Sequence, residues 1–155
     1  MQIHDVMSTG VVTAATTDRV RDVVIKMLSR NCGAIPIVNG SHELLGIVTL
    51  RDVMLPMYPN YGDYMHDSVH SRAFLDMEEH YSEVLEKKAE EIMVRNPLTV
   101  APETPILEAA SYMGLKNFRR LPVTDHGMLV GMVSIGDIHR GLFFTRGGCD
   151  AERES

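Results

Sequence analysis

Gly46-Ile47-Val48-Thr49-Leu50-Arg51-Asp52 reads as the end of a β-strand running into the start of a helix, and it occurs twice. The second copy, Gly131-Met132-Val133-Ser134-Ile135-Gly136-Asp137, stands 85 residues further on. The register continues on both sides. Upstream the offset is 86: Asp5-Val6-Met7 falls on Glu91-Ile92-Met93, Thr13 on Thr99, Met27 on Met113, Asn31 on Asn117 and Pro36 on Pro122. One deletion near Ser41–Glu43 accounts for the change of offset, after which Leu44 meets Leu129 and Asp52 meets Asp137. Apolar and turn positions match almost throughout although few residues are identical, as expected of an old duplication.

Both copies predict the same elements. A short β-type stretch (Val11-Val12-Thr13; Leu98-Thr99-Val100) leads to a helix start at Asp18 or Thr104, residues suited to an N-cap, with Pro105 tolerated at the first helical position. Apolar residues at i, i+3, i+4 and i+7 follow: Val20, Val23, Val24, Met27 in one copy and Ile106, Ala109, Ala110, Met113 in the other. Two strands come next, Ala34–Val38 and Leu45–Thr49, matched by Leu121–Thr124 and Leu129–Ser134. Asn39-Gly40 and Asp125-His126-Gly127 mark the turns between them. A second helix starts at Leu50 or Ile135. The fold class is therefore α/β in the mixed, α+β sense: two β-α-β-β-α repeats, each a three-stranded sheet with two helices on one side. A unit of about 50 residues buries too little surface to stand comfortably alone. The repeats are expected to pack sheet to sheet about a pseudo-twofold axis, leaving two equivalent clefts for a ligand.

Two readings fit the quoted stretch. Ser/Thr followed three residues later by an acid is close to a helix capping box, in which hydroxyl and carboxylate answer unpaired backbone N–H groups. The box favours the longer Glu or Gln, yet both copies carry Asp. The other reading is a ligand site. A helix N-terminus attracts anions, an ionised Asp accepts from two neighbouring hydroxyls as a ribose requires, and the Ser/Thr hydroxyl can donate to a phosphate.

Val6-Met7, Thr13, Gly33-Ala34-Ile35-Pro36-Ile37 and Gly46-Ile47-Val48-Thr49-x-x-Asp52 together resemble a CBS (cystathionine beta-synthase) domain. Ile92-Met93, Pro97-Leu98-Thr99-Val100, Arg120-Leu121-Pro122-Val123 and Gly131-Met132-Val133-Ser134-x-x-Asp137 resemble its tandem partner. The resemblance implies a disc-shaped pair that binds an adenosine-containing ligand: AMP, ADP or ATP first, S-adenosylmethionine or NAD(H) as alternatives. It implies that Asp52 and Asp137 hold the ribose and that Thr49 and Ser134 face the phosphate. It further implies that Val12-Thr13, Leu98-Thr99, Ile35-Pro36 and Leu121-Pro122 enclose the adenine. A flat homodimer is expected on the same ground.

The copies differ where charge matters. Arg119-Arg120 replaces Gly33-Ala34, Arg140 stands where copy one has Leu55, and Arg51 stands where copy two has Gly136. These arginines are either phosphate contacts, which would make the Asp137 cleft the stronger site, or solvated surface charges.

By this reading the first domain is 1–56 and the second 89–144, with a connector at 57–88 and a disordered tail at 145–155. The connector divides into a Tyr/Pro/Gly-rich loop (Pro56–Met65) and an amphipathic helix from Met77 to Glu91, with Glu83 and Lys87 as a surface pair. It is expected either to pack as a crossover helix or to serve as a partner contact or a tyrosine lid. His66 and His70 have metal-compatible spacing but no third ligand, so no metal is expected.

The chain has 155 residues, 45% hydrophobic and 23% charged, with a net charge of −6. That balance argues against a general nucleic-acid binder, which needs a basic face. The short apolar runs predict no membrane span, and the start shows no signal peptide. Cys32 and Cys149 are expected as free thiols in the cytoplasm. No nucleophile–base–orienter set is visible, so a non-catalytic module is expected, reporting to a separate protein effector or to another copy of itself. A ligand-free interaction scaffold is the other reading.

Overall fold

Val20, Val23, Val24 and Met27, spaced for one helical face, do form one: α1 runs Val20–Arg30 and buries all four. The computed structural model describes residues 1–57 and 67–146, with backbone alone at 67–75 and at 146. After α1 come β1 (Ala34–Val38), β2 (Leu44–Thr49), α2 (Leu50–Met54) and a 3-10 turn, Leu55–Met57. The order continues with α3 (Asp67–Leu85), α4 (Ala89–Ile92), β3 (Val94–Arg95), α5 (Ile106–Lys116), β4 (Arg120–Asp125), β5 (Met128–Ser134) and α6 (Ile135–Arg146). The architecture is mixed α+β, with the α-β-β-α part of the expected order present in both repeats and the leading strand reduced to an isolated bridge.

The chain forms two compact units whose membership crosses the repeats. One unit comprises Val12–Asn39 and Leu45–Asn96; the other comprises Met1–Val11, Gly40–Leu44 and the chain from Pro97 onward. The segment leading into each repeat packs on the core of the other repeat. In the first unit the Ala89 amide donates to the Asp18 carbonyl at 2.7 Å and the Val20 amide to the Lys87 carbonyl at 2.8 Å. In the second, Ile3 donates to Thr104 at 2.9 Å and Ile106 to Met1 at 3.1 Å. Val94 then pairs with Ile47, and Ser8 with Met132, at matched places. Each segment opens with the same cap, Asp5 Oδ2 accepting from the Gln2 amide and Glu91 Oε2 from the Lys88 amide. Ile3 and Ala89, which follow, are fully buried.

That exchange corrects the expected helix starts. The N-cap positions are Arg19 and Pro105, one residue later than Asp18 and Thr104. The first helical amides, Val20 and Ile106, are answered by carbonyls of the exchanged segments. Asp18 Oδ2 and Thr104 Oγ1 are thereby left to close the preceding turn, accepting from the Ala15 and Ala101 amides at 2.9 and 3.1 Å. It also corrects the sheet. The third strand of the β1–β2 sheet is β3, whereas Val11–Thr13 forms no strand and the next residue, Ala14, makes one parallel bridge to Ile37. In the other unit β4 and β5 form a two-stranded ladder, with single bridges from Ser8 and Val100.

Three further expectations change. The connector helix begins at Asp67, ten residues before Met77, and ends at Leu85; a break separates it from α4. Lys87 thus lies beyond the helix, and Glu83 sits instead 3.4 Å from His80 Nδ1. The last helix continues through Thr145 to Arg146 where a tail was expected. The tyrosine loop from Tyr58 on, His66, Cys149 and residues 147–155 lie outside the described residues, as does the His70 side chain.

Each unit has its own apolar centre. Ala14, Val23, Met27, Ile35, Val48, Val84 and Met93 belong to one; Ile3, Val100, Met113, Leu121, Val133 and Ile138 belong to the other. Both helices α1 and α5 stop at an Asn in the left-handed region, Asn31 (φ 50°) and Asn117 (φ 57°). Asn tolerates that conformation better than most residues, which explains why the repeat keeps it. In the β4–β5 turn His126 (φ 50°) and Gly127 (φ 82°) occupy the two positive-φ places of a tight hairpin.

Candidate functional site

The quoted stretch ends β2 and β5 at Thr49 and Ser134, and α2 and α6 begin at the next residue. At the first junction the Thr49 amide donates to Asp52 Oδ2 at 2.8 Å, and the Asp52 amide donates to Thr49 Oγ1 at 3.2 Å. At the second the Ser134 amide donates to Asp137 Oδ2 at 2.9 Å, and the Asp137 amide to Ser134 Oγ at 3.0 Å. Both are complete capping boxes, closed by the shorter acid. Aspartate reaches because its carboxylate folds back over a single turn of backbone.

One carboxylate oxygen of each Asp is therefore committed to the helix start. The other differs between copies. Asp137 Oδ1 accepts from Arg140 Nη1 at 3.3 Å, and the Asp137 side chain is 16% exposed. Asp52 Oδ1 has no hydrogen bond among the described residues, since Leu55 occupies the place of Arg140. The hydroxyls differ too. Thr49 Oγ1 donates to Asp52 Oδ2 at 2.9 Å, whereas Ser134 Oγ only accepts. Among the described residues the Ser134 hydroxyl has no acceptor of its own.

The remaining sequence-derived candidates fall into two groups, one in each unit. Around Asp52, the Ala14 amide donates to the Pro36 carbonyl at 3.1 Å, which sets Val12-Thr13 beside Ile35-Pro36 on β1. The Leu50 amide donates to the Gly33 carbonyl. Around Asp137, the Val100 amide donates to the Pro122 carbonyl at 3.1 Å, setting Leu98-Thr99 beside Leu121-Pro122 on β4. Arg120 is the register partner of Ser134, and the Ile135 amide donates to the Arg119 carbonyl at 3.0 Å. Arg119, Arg120 and Arg140 are all exposed; the backbone of Arg119 and Arg120 flanks the start of α6, and the Arg140 guanidinium reaches back from the helix interior to Asp137 in its first turn. Arg51 is exposed on α2. Ile35 and Leu121 are core residues, 0% and 1% exposed, so only their backbone can face a ligand.

Lys26 is a functional candidate that the sequence reading passed over. Its Nζ donates to the Thr13 carbonyl at 2.8 Å and lies 4.0 Å from Asp18. The available signal was a lone lysine among the apolar residues of α1; its counterpart in the repeat is Tyr112, whose hydroxyl donates to Glu108 instead. A shallow apolar groove lined by Met1, Pro105, Ile106, Leu107 and Leu142 contains none of the candidates. Among the described residues no three His, Cys, Asp or Glu side chains are grouped to hold a metal, and no helix is long and apolar enough to cross a membrane.

The CBS domain family model matches residues 3–57 and 89–143. The chain belongs to the CBS domain family, as a tandem pair. Among curated relatives it is 28% identical over 142 residues to the uncharacterised protein YlbB of Bacillus subtilis, an alignment covering 88% of this chain and 79% of that one. It is 27% identical over 135 residues to MJ1225 of Methanocaldococcus jannaschii, covering 87% of this chain but 40% of the relative. Two solved structures share the fold. CBSX2 in complex with AMP has a TM-score of 0.70 at 21% identity, covering 92% of this chain and 96% of that chain. The CBS domain pair of MJ0100, in complex with 5'-methylthioadenosine and S-adenosyl-L-methionine, has a TM-score of 0.69 at 23% identity, covering 94% and 98%.

Proposed function

We propose that this chain is a non-catalytic regulatory module that binds an adenosine-containing ligand at its Asp52 and Asp137 junctions. The observation that carries the reading is the duplicated junction itself: each gathers a carboxylate, a Ser/Thr hydroxyl and a helix start within one turn of backbone. A ribose diol fits the second carboxylate oxygen, because two neighbouring hydroxyls donate well to one ionised group. The ligands present in the CBSX2 and MJ0100 complexes support the adenosine class. AMP, ADP and ATP head the list, with S-adenosylmethionine and NAD(H) behind them. Ligand binding would shift the population of module conformations and so inform a protein effector, with the chain acting in the cytoplasm as a homodimer.

A mass spectrum of small molecules released from the purified protein tests this most directly, followed by calorimetry with AMP, ATP and S-adenosylmethionine. Asp52→Ala and Asp137→Ala are each expected to lose binding at their own junction and keep it at the other. Full retention in the double variant would refute the assignment.

One observation favours a second reading, a ligand-free interaction scaffold. Both Asp side chains already have work in capping their helices. No thermal shift with any adenosine compound, together with a stable complex between copies or with another protein, is the outcome that reading expects.

A further inference from the structure

The two junctions differ in what a ligand must break to use them. At Asp52 the second carboxylate oxygen has no hydrogen bond among the described residues, and Leu55 brings no charge. At Asp137 the same oxygen holds Arg140, whose side chain is 65% exposed and free to turn. A ligand whose hydroxyls take Asp137 Oδ1 must displace that guanidinium. An uncharged ligand offers it nothing in return, whereas a phosphorylated one supplies a new anion for a fork of donors built for such oxygens.

The surroundings agree. Among the described residues the Ser134 hydroxyl has no acceptor, whereas Thr49 gives its proton to Asp52. Arg119 and Arg120 stand at the same helix start, where the Asp52 copy has Gly33 and Ala34. Arg51 is the one cation specific to the Asp52 motif, and no ion pair ties it to Asp52 among the described residues. A ligand entering there displaces no cation.

We propose that Arg140 is a specificity-determining residue, which makes the Asp137 junction a site for phosphorylated adenosine ligands and leaves the Asp52 junction open to uncharged ones. The inference rests on the adenosine-binding reading above. Arg140 acts as an exchangeable counter-ion, held by Asp137 until a ligand phosphate takes it over.

The test is calorimetry of AMP and of adenosine on the full chain, with Asp52→Ala present so that the Asp137 junction is read alone. AMP is expected to bind at least about tenfold tighter than adenosine, as suits one charge-assisted contact. Arg140→Leu, which copies Leu55, should weaken AMP by a similar factor and leave adenosine unchanged or tighter. Arg140→Lys should keep part of the preference, and raising salt from about 0.1 M to about 0.5 M should narrow it only while the cation is present. An AMP-to-adenosine ratio unmoved by Arg140→Leu, with both ligands still bound, overturns this inference and leaves the adenosine reading intact. Failure of both compounds to bind the unmodified chain overturns both readings. Melting curves verify folding, and if Arg140→Leu does not fold, the Lys variant and the salt series decide the matter.

Discussion

A Cβ placed on Gly131 would lie 2.7 Å from the carbonyl oxygen of Ser8 and 2.9 Å from Met7 Sδ. The other copy repeats the arrangement. A Cβ on Gly46 would meet Met93 Sδ at 2.7 Å and the Val94 carbonyl at 2.8 Å. In both units the exchanged segment crosses the strand at the glycine, close enough that any side chain would have to push backbone aside. The glycine that begins the quoted motif and the Met7/Met93 pair are therefore one contact seen from two sides.

Gly131→Ala and Gly46→Ala are expected to destabilise their units by about 1–3 kcal/mol, the usual cost of overpacking. Gly114→Ala is the control: it lies in α5, nothing stands within 4 Å of its Cβ, and helix propensity should make it neutral to about 1 kcal/mol stabilising. Urea denaturation of the three variants separates these outcomes. Equal effects in all three would show that the close approach is unimportant.

Ile3 is fully buried among Val100, Ile106, Leu121 and Val133 although it lies near the start of the chain. Ile3→Ala should cost about 2–4 kcal/mol, as for other core truncations. Ile25→Ala, on the 56% exposed part of α1, should stay within about 0.5 kcal/mol. Amide hydrogen exchange should speed up mainly in the unit containing Ile3; uniform loss of protection would argue against its place in that core.

Thr49→Ala and Ser134→Ala each remove a cap oxygen and should cost about 1 kcal/mol without any ligand present. Thr49→Ser and Ser134→Thr should restore most of it. Thermal melts of the ligand-free chain check this, and they also set the baseline against which losses of binding in the Asp variants are judged.

Glu86 joins the connector to α1. Its Oε1 accepts from Arg21 Nη2 at 2.7 Å, and that bond, then the Arg21 charge, holds its carboxyl below the ordinary value of 4.5. The sign follows from the lowered value. The contribution is present above the unfolded carboxylate range and is lost as the pH falls through the depressed folded value. Glu86→Gln should flatten the acid limb of the stability curve below about pH 5 and leave neutral stability little changed, since exposed pairs are worth little. An NMR titration of the Glu86 carboxyl checks the direction.

Side-chain periodicity made much of the fold legible. The stripe on α1 is buried as expected, β1 matches its predicted range, and the Asn31/Asn117 identity reflects a left-handed helix end. The Ser/Thr-x-x-Asp junctions were visible with both of their meanings, and the structure shows the capping one fully formed. The exchange of leading segments was not legible, because backbone hydrogen bonds between distant residues carry it and leave no periodic trace. Met7 and Met93, which touch the motif glycines, show in the sequence only as matched positions of the repeat. The Arg140–Asp137 bond was equally hidden. Spacing three residues along a helix permits an ion pair, and nothing in the sequence said that the partner would be the candidate ligand carboxylate.

The exchanged segments also set an order of assembly. The unit built on α1 draws all its residues from a stretch that ends at Asn96, so it can close while the rest of the chain is still emerging from the ribosome. The other unit needs Ser8 against Met132 and Ile3 against Thr104. Ile3 and Ser8 must therefore wait until Thr104 and Met132 have been made. Contacts of such long sequence separation close slowly, and a waiting apolar end is open to wrong partners. Chaperone dependence and slow refolding phases should accordingly belong to the unit that holds Asp137, and the first copy of its motif will be in working order before the second.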